Sequence, residues 1–211
     1  MIATRRAWTR RALLAAAATS LLALGAGCTR PSPVKETFVL EPPAPPAAAK
    51  PQPGMLRVGT ITVGAPFRGR SFVFRESDLK FETDYYREFL VAPAANIGEA
   101  TARALAAANT FATVVPSGVV ADPDWVLEGF VDALYGDARD TAKPQAVLTI
   151  TYYLRRGSGD AGVPLWSRKY ERRLAFTTGS AGAYVTALNT ALGEILAELS
   201  RDLSALTLPK P

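Results

Sequence analysis

Between Leu79 and Val91 the chain alternates. Leu79, Phe81, Thr83, Tyr85, Phe89 and Val91 fall on one side, Lys80, Glu82, Asp84, Tyr86 and Glu88 on the other, and Arg87 is the exception. A period of two is the mark of a half-buried β-strand. With the apolar run 71–75 before it and Glu76-Ser77-Asp78 between them, it predicts a hairpin. The alternation assigns Phe81, Tyr85 and Phe89 to the core, and Tyr86 to solvent among Glu82, Asp84 and Glu88. Shorter apolar runs predict strands over 37–40, 56–63, 112–115, 125–135, 146–155 and 165–176. In 146–155 the even residues Ala146, Leu148, Ile150, Tyr152 and Leu154 point inward, and Val147, Thr149, Thr151, Tyr153 and Arg155 outward. The turn 156–160 joins that strand to the next.

Two segments change period. Residues 93–109 repeat apolar positions at three and four, with Asn96 and Glu99 as a capping box. From a cap at Ser180, Tyr184, Leu188, Leu192, Ile195, Leu199, Leu203 and Leu206 form one stripe. A single stripe suits docking on a sheet better than a coiled coil. The elements together predict an α+β fold, a mainly antiparallel sheet with two helices packed on one face.

The N-terminus follows a different pattern. Arg5, Arg6, Arg10 and Arg11 precede an apolar run, Leu13 to Leu24, too short to span a bilayer and suited to an export signal. Gly25, Ala26 and Gly27 then lead to Cys28, the only cysteine. This resembles a bacterial lipoprotein signal, which implies cleavage before Cys28 and lipid on its sulfur. Thr9 to Leu14 also resembles a twin-arginine signal, so the export route stays open. Eight of the 16 prolines lie between Pro31 and Pro53, a composition of extended, solvated chain. If the run 37–40 docks as a first strand, the tether is only 29–35, reaching roughly 20 Å at about 3.1 Å per residue. The expected organisation is a signal over 1–27, lipidated cysteine and tether over 28–35, one domain over 36–207 with a proline-rich loop at 41–53, and a tail over 208–211.

Charge adds little once the signal is set aside. The chain has 24 Lys plus Arg against 19 Asp plus Glu, and removing the four signal arginines leaves 20 against 19. The basicity belongs to export, so no nucleic acid partner is expected. A lone cysteine excludes an intrachain disulfide.

Candidate chemistry is sparse. With no histidine, the Ser–His–Asp and Cys–His triads and the common zinc sites are excluded. Neither a P-loop nor a dinucleotide fingerprint occurs. No catalytic residue, metal ligand or cofactor is assigned. Glu82, Asp84 and Glu88 would be candidates for carboxylate chemistry, but a solvated strand face accounts for them. Asp137 and Asp140 read as an acidic turn rather than a calcium loop. What is left is aromatic surface: Tyr86, with Glu82, Asp84 and Glu88 around it, is the candidate partner-binding group.

Several segments carry a family resemblance. They are Phe38-Val39-Leu40, then Leu56-Arg57-Val58-Gly59-Thr60-Ile61, then Phe72-Val73-Phe74-Arg75. Phe81-Glu82-Thr83-Asp84-Tyr85-Tyr86-Arg87-Glu88-Phe89 with Pro93 and Phe111 completes the set. From about Glu36 to Leu206 the chain resembles the ABC-type transport auxiliary lipoproteins, which include the paraquat-inducible-type lipoproteins. The resemblance implies a non-catalytic periplasmic subunit. Its implied partners are a mammalian-cell-entry-type substrate-binding protein and the ABC permease and ATPase that move lipid. Cys28 would hold the lipid anchor. Thr29, where an Asp would retain such a protein at the inner membrane, implies the periplasmic face of the outer membrane. Two alternatives remain: a structural lipoprotein of an outer-membrane assembly machine, and an envelope hydrolase using carboxylates.

Overall fold

The computed structural model describes residues 34–157 and 163–210. The predicted signal, Cys28 and most of the tether lie outside them. From Lys35 onward the described chain forms one compact unit.

One strand organises it. Trp125–Asp137 (β6) pairs antiparallel along its whole length with Gln145–Arg156 (β7), which in turn pairs antiparallel with Trp166–Ala175 (β8). On its other side β6 takes two partners in succession. Its first half runs parallel to Gln52–Val63 (β2), and its end, at Gly136 and Asp137, runs parallel to Ser71–Arg75 (β3). Asp132 is bulged out between the two halves. The partners are consecutive in the chain, separated by the 3-10 turn Ala65–Phe67, where Pro66 ends the ladder.

The sheet therefore forks. One branch continues from β2 to Phe111–Val115 (β5), and the other from β3 to Phe81–Phe89 (β4) and on to Glu36–Phe38 (β1). Among the described residues four pairings are parallel and three antiparallel. The sheet is thus mixed, where the pattern predicted a mainly antiparallel one. Alternation reports which face a side chain takes and is silent on the neighbour's direction. Only the hairpins around 76–78 and 156–160 were readable, because short connections force antiparallel pairing.

Both helices, Pro93–Ala107 (α1) and Ala181–Ala205 (α2), cover one face of the sheet. The even residues of β7, from Ala146 to Leu154, are buried beneath them as expected. There the Tyr152 hydroxyl meets Thr101 of α1 at 2.9 Å. Next door, Tyr170 of β8 donates to Asp202 of α2. Arg172 and Arg168 of β8 bridge Glu194, Glu198 and Asp202 along the same helix at 2.7 to 2.8 Å. Ser180 caps α2 as predicted, accepting from the Ala183 amide at 3.1 Å.

The cap predicted for α1 is not formed. That helix opens at Pro93 with no side-chain cap, and Asn96 lies inside it. Asn96 is buried and clamps Leu40 instead: its oxygen accepts from the Leu40 amide at 2.8 Å and its nitrogen donates to the Leu40 carbonyl at 3.0 Å. That clamp seats the chain just after β1. The following proline-rich segment returns across α2, where Gly193 leaves room for Pro43; a methyl there would meet the proline ring at 2.7 Å.

Candidate functional site

The hairpin of β3 and β4 holds every residue predicted to bind a partner. Its ladder is interrupted. Ser71 pairs with Glu88 and Val73 with Thr83, so two steps along β3 correspond to five along β4. The three extra residues form a wide bulge. An odd insertion inverts the alternation, since a one-residue offset moves each side chain to the other face. Asp84 fixes the bulge by accepting from the amides of Tyr86 (2.8 Å) and Arg87 (3.1 Å), an Asx turn inside a strand.

The bulge splits the predicted site in two. Before it, Phe81 lies on the sheet face away from the helices, edge-on to Phe67 and Tyr135 at centroid distances of 6.2 and 5.6 Å. After it, Phe89 turns to the helix side and joins the buried Phe72, which also touches Phe38 and Tyr184. Tyr85, assigned to the core from the alternation, is 73% exposed. The correction follows from the bulge, and Arg87, the one break in the pattern, was its signal in the sequence.

The carboxylates do not ring Tyr86. Glu82 pairs with Lys80 at 3.0 Å near the turn. Asp84 is held by the bulge and by Arg87 at 3.5 Å. Glu88 is buried and takes two cations, Arg70 at 3.0 Å and Lys35 at 3.4 Å. Around Tyr86 stands instead the Tyr85 ring, edge-on at 5.1 Å, with the Lys35 ammonium 5.2 Å from the Tyr85 centroid.

Exposed apolar surface collects at both ends of this hairpin: Leu79 and Phe81 at the turn, and Tyr85, Tyr86, Leu90 and Val91 at the other end. Leu79 is 96% exposed and has Arg75, Lys80 and Glu82 for neighbours on the turn. An apolar anchor inside a charged rim, predicted for Tyr86, occurs here at Leu79 and Phe81.

Elsewhere the titratable groups are committed to structure. Asp137 and Asp140 flank a turn in which Arg139 holds Asp137 at 2.8 Å, with Arg173 at 3.5 Å. The Arg139 hydrogen bonds hold the Asp137 carboxyl below its usual range. A carboxylate kept charged and cation-bound is a poor general acid. Burial raises the hydroxyls of Tyr152 and Tyr184 far above the usual phenol range. Among the described residues no group of His, Cys, Asp or Glu is placed to hold a metal, and no helix is long and apolar enough to cross a membrane.

A family model described as the ABC-type transport auxiliary lipoprotein component matches residues 38–200. No curated protein matches the chain. Among solved structures, protein XCC0632 from Xanthomonas campestris, of the DUF330 family, superimposes with a TM-score of 0.67 at 17% identity, covering 78% of this chain and 92% of its own. A crystal structure of an uncharacterized protein follows, with a TM-score of 0.63 at 15% identity, covering 81% of this chain and 99% of the other. At such identities these two relatives establish the fold alone.

Proposed function

The chain belongs to the ABC-type transport auxiliary lipoprotein family, and from that premise we propose that it is a non-catalytic, lipid-anchored subunit of a mammalian-cell-entry-type lipid transport system. The observation that carries this reading is the family match over residues 38–200. In it Cys28 bears the lipid, the domain stands in the periplasm at the outer membrane, and the permease, ATPase and substrate-binding protein are separate chains. The engagement of the candidate carboxylates Glu82, Asp84 and Glu88 by Lys80, Arg87, Arg70 and Lys35 favours this over an envelope hydrolase.

We place the partner-facing surface at the hairpin turn, with Leu79 and Phe81 as apolar anchors. Charge-free exposure surrounded by a polar rim is the usual layout of an interface centre. Glu82 belongs to that rim. Asp84 and Glu88 act indirectly, by holding the shape of β4.

Anchoring is tested by Cys28→Ser. Each buried methylene of an acyl chain contributes about 0.8 kcal/mol, and two chains or more give stable attachment. The cleaved variant is expected in the soluble fraction with its melting temperature unchanged. A cleaved Cys28→Ser chain that stays on salt-washed membranes lacking the partner proteins would contradict the anchor.

A further inference from the structure

The second exposed cluster of the hairpin lies where the chain enters the domain. Lys35, the first residue of the compact unit, sits over the Tyr85 ring and bonds Glu88 beside it. Seven residue steps separate Lys35 from Cys28. Fully extended at about 3.6 Å per residue they span at most roughly 25 Å. If Cys28 carries the anchor, as proposed above, the surface around Lys35 is covalently confined to within that distance of the bilayer.

That surface has the composition of a membrane interface. Tyr85 and Tyr86, in mutual contact on β4, and Leu90 and Val91, just past its end, are each exposed. Tyrosine settles at the headgroup level, where its ring meets hydrocarbon and its hydroxyl stays wet. The charges beside these residues are already matched. Lys35 and Arg70 share Glu88, and Arg87 takes Glu36 and Asp84 at 3.5 Å each. The cluster can therefore leave bulk water without stranding an ion, which would otherwise oppose burial. The Asx turn at Asp84 fixes the bulge that presents both rings.

We propose that Tyr85, Tyr86, Leu90 and Val91 form a peripheral phospholipid-binding surface. It lies on the bilayer that holds the acyl anchor and sets the orientation of the domain, with the Leu79 turn left for the transporter. Matched charges make apolar burial the driving force, so the contact is insensitive to salt, unlike a polybasic one.

The test uses the mature acylated chain in vesicles of phosphatidylethanolamine and phosphatidylglycerol containing brominated acyl chains. Acylation blocks the Cys28 thiol, so a cysteine introduced by Leu90→Cys is the only site for an environment-sensitive fluorophore. Val120→Cys, on the exposed loop before β6, is the comparison. The label at Leu90→Cys should be quenched several-fold more than that at Val120→Cys, equally in low and high salt. Adding Tyr85→Ser and Tyr86→Ser should remove the difference. Equal quenching at the two positions in an acylated chain would overturn the proposal alone. Shielding of the Leu90→Cys label only when the detergent-purified transporter is added would make the patch a protein interface and also overturn it. An intact mass without acyl chains would overturn the anchor, and with it the premise of confinement. The two failures are thus distinguishable.

Discussion

At the scale of single residues, β4 separates two kinds of aromatic side chain that share one sequence motif. Tyr85 contributes surface and Phe89 contributes core. Tyr85→Ala is expected to shift stability by no more than about 0.5 kcal/mol, as for an ordinary surface site. Phe89→Ala should cost roughly 3–5 kcal/mol, the range for truncating a buried aromatic. Urea titrations of the two variants decide the matter, and a large loss at Tyr85→Ala would restore the unbulged register. Asn96 illustrates a different dependence. Its amide satisfies both polar groups of Leu40 in a buried setting, so Asn96→Ala leaves two backbone groups unpaired. The expected cost is about 2–6 kcal/mol, from roughly 1–3 kcal/mol for each of the two unsatisfied groups. Asn96→Asp can still accept from the Leu40 amide but cannot donate to its carbonyl, so it should rescue only part of the loss in the same titration.

At the scale of elements, α2 is tied to β8 by Arg168 and Arg172, which share Glu198. Hydrogen bonds from Arg172 lower Glu198, as those from Arg139 lower Asp137. Both carboxyls have folded values below their unfolded ones, so each adds stability above the unfolded value near pH 4 and loses it as the pH falls through the folded value. The melting temperature should stay level from about pH 7 to 5 and fall below about pH 4. Asp137→Asn should lower it at neutral pH and flatten the acid decline; an unchanged decline in that variant would show that Asp137 does not take part. The helices and hairpins were legible because each announces itself locally, by an apolar stripe after Ser180 or by the short connection 76–80 after Arg75. The fork in the sheet was not, since Val63 and Ser71 give no sign that their strands share β6 as a neighbour. The first turns of β2 were hidden as well. Pro51, Pro53 and Gly54 read as loop, yet Gln52 pairs with Phe111 and its amide donates to the Thr110 carbonyl at 2.9 Å, while Gly54 takes φ +90° beside Asp124. The predicted candidate residues all fall on the hairpin of β3 and β4, as the alternation placed them. The charged ring was misdrawn because Asp84 was read as an outward strand residue rather than as the acceptor of an Asx turn.

At the scale of the whole molecule, the two ends of one hairpin are assigned to two neighbours. In the proposed arrangement Lys35 and the Tyr85–Tyr86 pair would face the anchoring bilayer, and Leu79 with Phe81 the transporter. On the proposed function, the contribution of the domain is placement: a fixed distance and orientation for partners that carry the ATPase and the lipid. The most direct measurement is capture of those partners. The acylated chain, tagged at its C-terminus, is isolated from detergent-solubilised native envelope, and the co-purified proteins are identified and quantified. The account predicts a mammalian-cell-entry-type protein together with its permease and ATPase, reduced roughly tenfold or more by Leu79→Asp, as for loss of an interface anchor, with the melting temperature of the isolated chain unchanged. Recovery of a large β-barrel assembly protein in their place, or the same transporter yield from Leu79→Asp as from wild type, would contradict it.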